Sequence, residues 1–198
     1  MEFTMKKIYD FKNGVNENEF FYCYGLAVKA YNKFIVENNC CIRNEYNEDI
    51  HDFDYTSIIS KDSYSVGTKI YTEFKFERRG APLLVLGNDF RKNKNGISLY
   101  GVHFEVIGFE DGCNVWYLIP REHDAQKPVE PVLIGKLRFP IPNLSVVKLS
   151  VELIPNGFSI EINGEKLTVI HPEIPNNLHV GVTACEGINR FYTLQIEN

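Results

Sequence analysis

The clearest local pattern in the chain is Phe158-Ser159-Ile160-Glu161-Ile162, then Asn163-Gly164, then Lys166-Leu167-Thr168-Val169-Ile170. Two strand-like segments thus flank a turn dipeptide. Asn and Gly both tolerate the positive φ angles that the two central positions of a tight hairpin turn require. The stretch therefore predicts a β-hairpin, and Pro155-Asn156-Gly157 predicts another turn just before it.

A two-residue alternation of polar and apolar side chains marks further strands. In Ile70–Glu77, the residues Thr72, Phe74 and Phe76 face one way and the charged residues face the other. Val146–Ile154 alternates in the same manner, with Val and Leu inward. Other strands are predicted at Leu83–Leu86, Leu99–Ile107, Asn114–Ile119, Val132–Phe139, His179–Cys185 and Arg190–Ile196.

The segments between these strands are predicted as loops and turns. Gly87–Gly96 is rich in Asn, Asp, Lys and Gly, and Asn88-Asp89 within it are expected to form a turn. Pro128 and Pro131 indicate a loop before the strand that begins at Val132. About a dozen strands without convincing helices predict one all-β domain over residues 1–198, a two-sheet antiparallel jelly-roll sandwich.

The first 65 residues allow two interpretations. Apolar side chains between Phe20 and Ile35 have a spacing that fits one face of a helix. Gly25 interrupts that helix, and the segment has few strong helix formers. We therefore favour two strands, at Tyr22–Lys29 and Lys33–Glu37.

Composition and charge restrict the class of protein. With 44% hydrophobic and 24% charged residues, the 198-residue chain has the composition of a globular protein. Its net charge of −5 provides no positive field for nucleic acid or anionic lipid, so neither partner is expected. No stretch is apolar enough to span a membrane, and none is a phosphate-binding Gly-rich loop, so no cofactor is expected either.

The cysteines indicate a reducing compartment. The five are Cys23, Cys40, Cys41, Cys113 and Cys185, an odd number without a CxxC pair. No apolar segment follows the lysines near Met1, so no signal peptide is expected. We therefore expect free thiols and a cytoplasmic location.

The order of these motifs resembles the concanavalin A-like lectin/glucanase superfamily. The resemblance rests on residues 67–76, Tyr100–Val106, Asn114-Val115-Trp116, the Asn163-Gly164 hairpin, His179–Ala184 and Phe191-Tyr192. It implies a jelly-roll fold, which lectins, glycosidases and non-catalytic modules share. The expected cytoplasmic form without a signal peptide also resembles the regulation-of-enolase-like members of that superfamily.

The strand that would carry catalysis lacks the full glycosidase signature. Laminarinase-type relatives place alternating acidic residues, ExDxE, on one strand face, where two carboxyl groups act as nucleophile and general acid. The matching strand here offers only Glu105 on its polar face, with His103 two residues before it. We expect Phe104 and Val106, together with Val102, to face the core, so that His103 and Glu105 point the other way. An imidazole and a carboxylate on one face can perform acid–base chemistry or can simply line a cleft.

Other residues are candidates for ligand binding. Trp116 offers an aromatic face to a sugar ring and Asn114 offers hydrogen bonds, although a single Trp is more often a core residue. Glu186 and Arg190, near the last turn, can orient a ligand or pair with each other. No metal is expected, because the acidic cluster Glu48, Asp49, His51, Asp52 and Asp54 lacks a recognisable ligand spacing.

The sequence thus supports three functions. The first is non-catalytic binding of a carbohydrate or sugar-derived metabolite at His103, Glu105, Asn114, Trp116, Glu186 and Arg190. The second is glycoside hydrolysis through His103 and Glu105, and the third is regulatory binding of a protein partner. A second carboxylate within about 5–10 Å of Glu105 would favour the glycosidase.

Overall fold

A computed structural model describes residues 5–23, 33–46, 55–93, 96–121 and 129–198. At residue 55 and at residues 90–93 and 96–103 only the backbone is described. These parts of the chain form fifteen strands and no helix: β1 Lys6–Tyr9, β2 Phe20–Cys23, β3 Ile35–Glu37, β4 Cys41–Arg43, β5 Tyr55–Ser65, β6 Lys69–Glu77, β7 Ala81–Asn93, β8 Gly96–Phe109, β9 Gly112–Pro120, β10 Val129–Arg138, β11 Val147–Ile154, β12 Gly157–Ile162, β13 Glu165–Ile170, β14 Asn177–Cys185 and β15 Ile188–Glu197.

The strands assemble into two antiparallel sheets. The eight-stranded sheet has the order β13-β12-β11-β6-β15-β4-β3, and β1 also pairs with β15. The seven-stranded sheet has the order β10-β9-β8-β7-β14-β5-β2. The two-sheet all-β architecture predicted from the sequence is therefore confirmed.

The core lies between the two sheets and is rich in aromatic side chains. The Phe104 side chain of β8 is fully buried and stacks on Tyr117 of β9, with ring centroids 5.1 Å apart. It also meets Phe158 of the opposite sheet edge-on at 5.3 Å. Phe74 and Phe191, on neighbouring strands of that sheet, are also fully buried. Aromatic burial of this kind is a large favourable contribution to folding.

The predicted alternations match the burial of the side chains. In β6, Thr72, Phe74 and Phe76 are buried while the charged residues between them are half-buried. In β11 the Val and Leu residues at 147, 149, 151 and 153 are buried. The hairpin turn has φ of 50° at Asn163 and 91° at Gly164, the positive values that the dipeptide predicted.

Two loop predictions are wrong. Residues 87–93, predicted as a loop, continue β7, and β8 pairs with them from Asn93 back to Gly87 with a register shift between Gly87 and Asp89. Asp89 is paired with Tyr100 of β8, and Asn88 lies at the register shift, so both are strand residues because pairing with β8 on either side of them outweighs the local turn propensity. Pro131, also predicted in a loop, lies within β10, where it is tolerated because β10 is an edge strand.

The N-terminal region is extended where it is described. β2 covers the start of the first predicted strand, and β3 covers the end of the second. Residues 24–29, the rest of the first predicted strand, lie outside the described residues, whereas Lys33 and Phe34 of the second are described and precede β3 without strand structure. The short strands β1 and β4 had no alternation long enough to predict them.

Candidate functional site

The candidate site lies on the face of the seven-stranded sheet that points away from the core, here called the front face. On β8 and β9, Phe104, Val106, Val115 and Tyr117 are buried in the main core. Because side chains alternate along a strand, the residues between them belong to the front face. One row of this face, read across the sheet in register, is Leu133, Trp116, Glu105, Val85, Gly181, Ile59 and Phe21.

Glu105 occupies the middle of this row and is only 8% exposed. The residues directly across from it are Val85 on β7 and Trp116 on β9. Further along the row, Val85 and Ile59 belong to a second apolar cluster that is separate from the main core. The centre of the front face is therefore not an open cleft, and Glu105 is an acidic residue in largely apolar surroundings.

His103 lies two residues before Glu105 on β8, and its backbone is paired with Gly87 and Leu118. Its side chain, like that of Val102, lies outside the described residues, so the predicted pairing of His103 with Glu105 stays a prediction.

No carboxylate occupies a position next to Glu105 in the sheet register. Those positions are His103 and Ile107 on β8, Leu83, Val85 and Gly87 on β7, and Asn114, Trp116 and Leu118 on β9. Asp89, four residues beyond Val85 on β7, is about 13 Å further along that strand at 3.3 Å per residue. Adjacent positions therefore cannot supply the carboxyl pair, about 5–5.5 Å apart, of a retaining glycosidase.

Trp116 and Asn114 lie together on β9 in a partly accessible part of the front face. Both side chains are half-buried, and they lie two positions apart on the same strand, with Val115 between them. On the neighbouring edge strand β10, Leu133 lies opposite Trp116 and Lys136 lies opposite Asn114. Both of these β10 residues are exposed. A ligand on the front face would therefore reach Trp116 and Asn114 more easily than Glu105.

Arg138, at the end of β10, is held against the same surface. Its Nη2 donates a hydrogen bond to Oδ1 of Asn114 at 2.9 Å, and its Nη1 donates to the carbonyl of Leu137 at 3.0 Å. The guanidinium also lies 5.5 Å from the ring centroid of Phe109. We call the surface formed by Phe109, Asn114, Trp116, Lys136 and Arg138 the shelf.

Arg190 and Glu186 are not part of the front face. Arg190 belongs to β15 of the eight-stranded sheet, where its Nε donates to Glu37 and its Nη1 donates to Glu77 at 2.9 Å. The hydrogen bond from Arg190 to Glu37 holds the pKa of Glu37 below its ordinary value. Glu186 is exposed in the turn between β14 and β15, at φ 53°. The suggested Glu186–Arg190 ion pair is therefore wrong, because the partners of Arg190 come from distant strands.

Metal, thiol and membrane features add little to the site. No group of three or more potential metal ligands is assembled among the described residues, and the cluster from Glu48 to Asp54 lies outside them. All five cysteines are free thiols. The parts of the chain that the structure describes contain no helix suited to crossing a membrane.

Sequence reasoning missed Lys136 and Arg138. They lie two residues apart within the predicted strand Val132–Phe139, and that spacing places them on one face. The signal was therefore present, but only the pairing of β10 with β9 puts that face beside Trp116.

Comparison with known proteins shows structures with a similar fold. No family model and no curated protein matches the chain. Among solved structures, the carbohydrate-binding module CBM66 from Bacillus subtilis is 15% identical, with a TM-score of 0.52 over 76% of this chain and 82% of that one. A β-glucanase from Bacillus licheniformis is 12% identical, with a TM-score of 0.57 over 96% and 97%.

A third similar structure is larger than this chain. It is an endo-β-galactosidase from Clostridium perfringens that releases GlcNAcα1-4Gal, 10% identical with a TM-score of 0.67. The match covers 97% of this chain but 62% of that enzyme. These neighbours confirm the predicted jelly-roll sandwich fold. They give no support to the narrower resemblance to regulation-of-enolase-like proteins.

Proposed function

We propose that this protein binds a carbohydrate or a sugar-derived metabolite on the shelf without chemically changing it. The observation that carries the proposal is the position of Trp116, accessible on the front face beside Asn114 and away from the core. A sugar ring offers one apolar C–H face and a rim of hydroxyls. An aromatic ring with a neighbouring side-chain amide is therefore suited to bind it.

The surroundings of Glu105 favour binding over hydrolysis. A glycosidase needs two carboxyl groups flanking the bond that it cleaves. The register neighbours of Glu105 include no second one, and Glu105 itself is buried. Glycoside hydrolysis through His103 and Glu105 is therefore the second candidate function. If the protein is a hydrolase, the wild type should cleave a glycoside and Glu105→Gln should abolish that activity.

The fold neighbours support a sugar ligand only as a class. They include a carbohydrate-binding module and enzymes that act on polysaccharides, but the identities leave only the fold in common. A regulatory protein partner and a cytoplasmic location stay predictions of the sequence.

The experiment is a glycan-array screen followed by calorimetry on the best ligand. Trp116→Ala should weaken binding at least tenfold, about 1.4 kcal/mol. Tyr71→Ala is the matched control, since Tyr71 is also a half-buried aromatic on a central strand but belongs to the other sheet. Equal affinities of the wild type and Trp116→Ala would refute the proposal. Release of reducing ends by the wild type would decide for the hydrolase.

A further inference from the structure

We propose that the shelf selects acidic saccharides, that is, sugars that carry a carboxylate or a sulfate, and that Lys136 and Arg138 bind the anionic group. This inference rests on the proposed function and adds the class of ligand to it. It starts from the placement of two cations beside the only tryptophan of the chain.

The two cations share the face on which Trp116 lies. Residues 136 and 138 of β10 are two positions apart, so they point to one side of the sheet. The hydrogen bond from Arg138 to Asn114 and the contact of its guanidinium with the Phe109 ring identify that side as the front face.

Neither cation is neutralised by a carboxylate in the described part of the chain. Other basic side chains do have such partners: Arg121 pairs with Glu130 at 2.5 Å, and Lys7 pairs with Glu19 and Asp62. The Arg138 contacts that the structure gives are to main-chain carbonyls, an amide oxygen and a ring. The chain has more acidic than basic residues, 26 against 21, and yet these two neighbouring cations have no carboxylate partner in its described part. They can therefore bind an external anion.

The acidic residues of the adjacent turn do not form ion pairs with these cations in the described part of the chain. Glu110 and Asp111 connect β8 to β9, and their main-chain carbonyls accept hydrogen bonds from Ile141 and Phe139. Neither of their carboxylates forms an ion pair with Arg138 among the described residues. The anion-binding groups of the shelf therefore remain available to a ligand.

Arg138 is positioned in advance for this task. Nη1 donates to the carbonyls of Cys113 and Leu137, and one Nη2 hydrogen goes to Asn114. The Nε hydrogen and one Nη2 hydrogen have no acceptor in the described part of the chain. The guanidinium therefore keeps two donors for the oxygens of a carboxylate or a sulfate, the groups that Arg binds well.

The spacing suits a short saccharide. Lys136 is one strand across and two residues along from Trp116, about 8 Å between Cα atoms by ordinary sheet dimensions. A ring stacked on Trp116 would bring its own acidic substituent, or that of the next residue, to Lys136 and Arg138. The aromatic ring then supplies affinity for sugars in general, and the cations supply the preference for acidic ones.

The test measures affinity for oligosaccharides of three kinds: oligogalacturonate for the carboxylate, oligocarrageenan for the sulfate, and neutral agaro-oligosaccharide. The proteins are the wild type, Trp116→Ala, the double variant Lys136→Gln with Arg138→Gln, and the charge-matched control Lys69→Gln with Lys75→Gln on β6. Thermal melting confirms that each variant is folded. The first two ligands distinguish the two sources of negative charge.

We expect the wild type to bind at least one acidic ligand tenfold or more tightly than the neutral one at low salt. The Lys136/Arg138 double variant should lose that preference and keep the neutral affinity, and the Lys69/Lys75 control should keep both. Trp116→Ala should weaken both classes. Because salt screens such contacts, the preference of the wild type should shrink from 50 to 300 mM NaCl, about a twofold change in Debye length.

Other outcomes separate the two proposals. Neutral binding at Trp116 without an acidic preference overturns this inference and leaves the proposed function standing. An acidic preference that survives in the Lys136/Arg138 double variant also overturns it. Failure of both acidic ligands to bind overturns this inference, and the glycan-array screen decides the proposed function separately. Tight binding of polyglutamate that needs the cations but not Trp116 would identify an acidic protein segment as the occupant instead.

Discussion

Replacing Phe104 tests the placement of the whole front face, because Glu105 faces outward only if Phe104 faces the core. Phe104 is fully buried, stacks on Tyr117 and meets Phe158 edge-on. Removing a buried Phe side chain costs about 3–5 kcal/mol, and the loss of its aromatic pairing adds about 1 kcal/mol. We expect Phe104→Ala to lower the free energy of unfolding by about 4–6 kcal/mol.

The control for this change is Leu133→Ala. Leu133 lies in the same row of the seven-stranded sheet as Glu105, but on the edge strand β10, and it is 42% exposed. Since most of its contacts are at the surface, its loss should cost under about 1 kcal/mol. Urea unfolding at 25 °C measures both values, and the fluorescence of Trp116 reports on the part of the sheet that contains Glu105.

The expected difference corresponds to a large change in melting temperature. At about 2–4 °C per kcal/mol for a chain of this size, Phe104→Ala should melt roughly 8–24 °C below the wild type. If Phe104→Ala does not fold, Phe104→Leu carries the test, with an expected loss of about 1–2 kcal/mol from the missing ring contacts. A loss at Phe104 no greater than at Leu133 would refute the assignment of the two faces of β8.

Three further changes test local features of the fold. Gly164→Ala should lower the free energy of unfolding by about 1–2 kcal/mol, seen in urea unfolding, because φ is 91° there while nothing lies within 4 Å of the new methyl group. Glu37→Gln should destabilise the protein at pH 7, and it should flatten the pH dependence of unfolding. The pKa of Glu37 is lowered in the folded state, so its contribution to the free energy of unfolding is full above about pH 4.5 and is lost as the pH falls further. Identical profiles of unfolding free energy against pH for the wild type and Glu37→Gln, from pH 7 to 3, would contradict this. At pH 8 we expect only Cys40, the exposed cysteine, to react quickly with Ellman's reagent, since burial raises the pKa of Cys23 and Cys113 to about 12; a fast phase that persists in Cys40→Ser would argue against it.

The strands could be predicted wherever one face is buried and the other is solvated. The alternation in β6 and β11 reports that asymmetry directly, and the Asn163-Gly164 turn carries its own backbone requirement. At Asn88 and Asp89 the same reasoning failed. Their turn propensity is local, whereas their strand conformation depends on the pairing of β7 with the following strand, β8, and the sequence does not show how far that pairing extends.

The candidate site was predicted only in part for a related reason. Glu105 and Trp116 were found as residues, but their contact across β8 and β9 depends on register. Lys136 and Arg138 have the pattern of an ordinary solvated strand face until that register places them beside Trp116. Arg190 shows the opposite error, since its neighbour in sequence, Glu186, is not its partner in space.

The positions of β14 and β15 have a consequence for how the protein folds. β14 lies between β7 and β5 in one sheet, and β15 lies between β6 and β4 in the other. Neither sheet can therefore be completed until the last two strands have formed and have paired, β14 within one sheet and β15 within the other. Such long-range pairing slows folding, typically to milliseconds or seconds. During synthesis, the edges of β5, β6 and β7 that pair with β14 or β15 stay unpaired until residues 177–197 have been made. Unpaired strand edges promote aggregation, so the chain is most prone to aggregate before these residues are added.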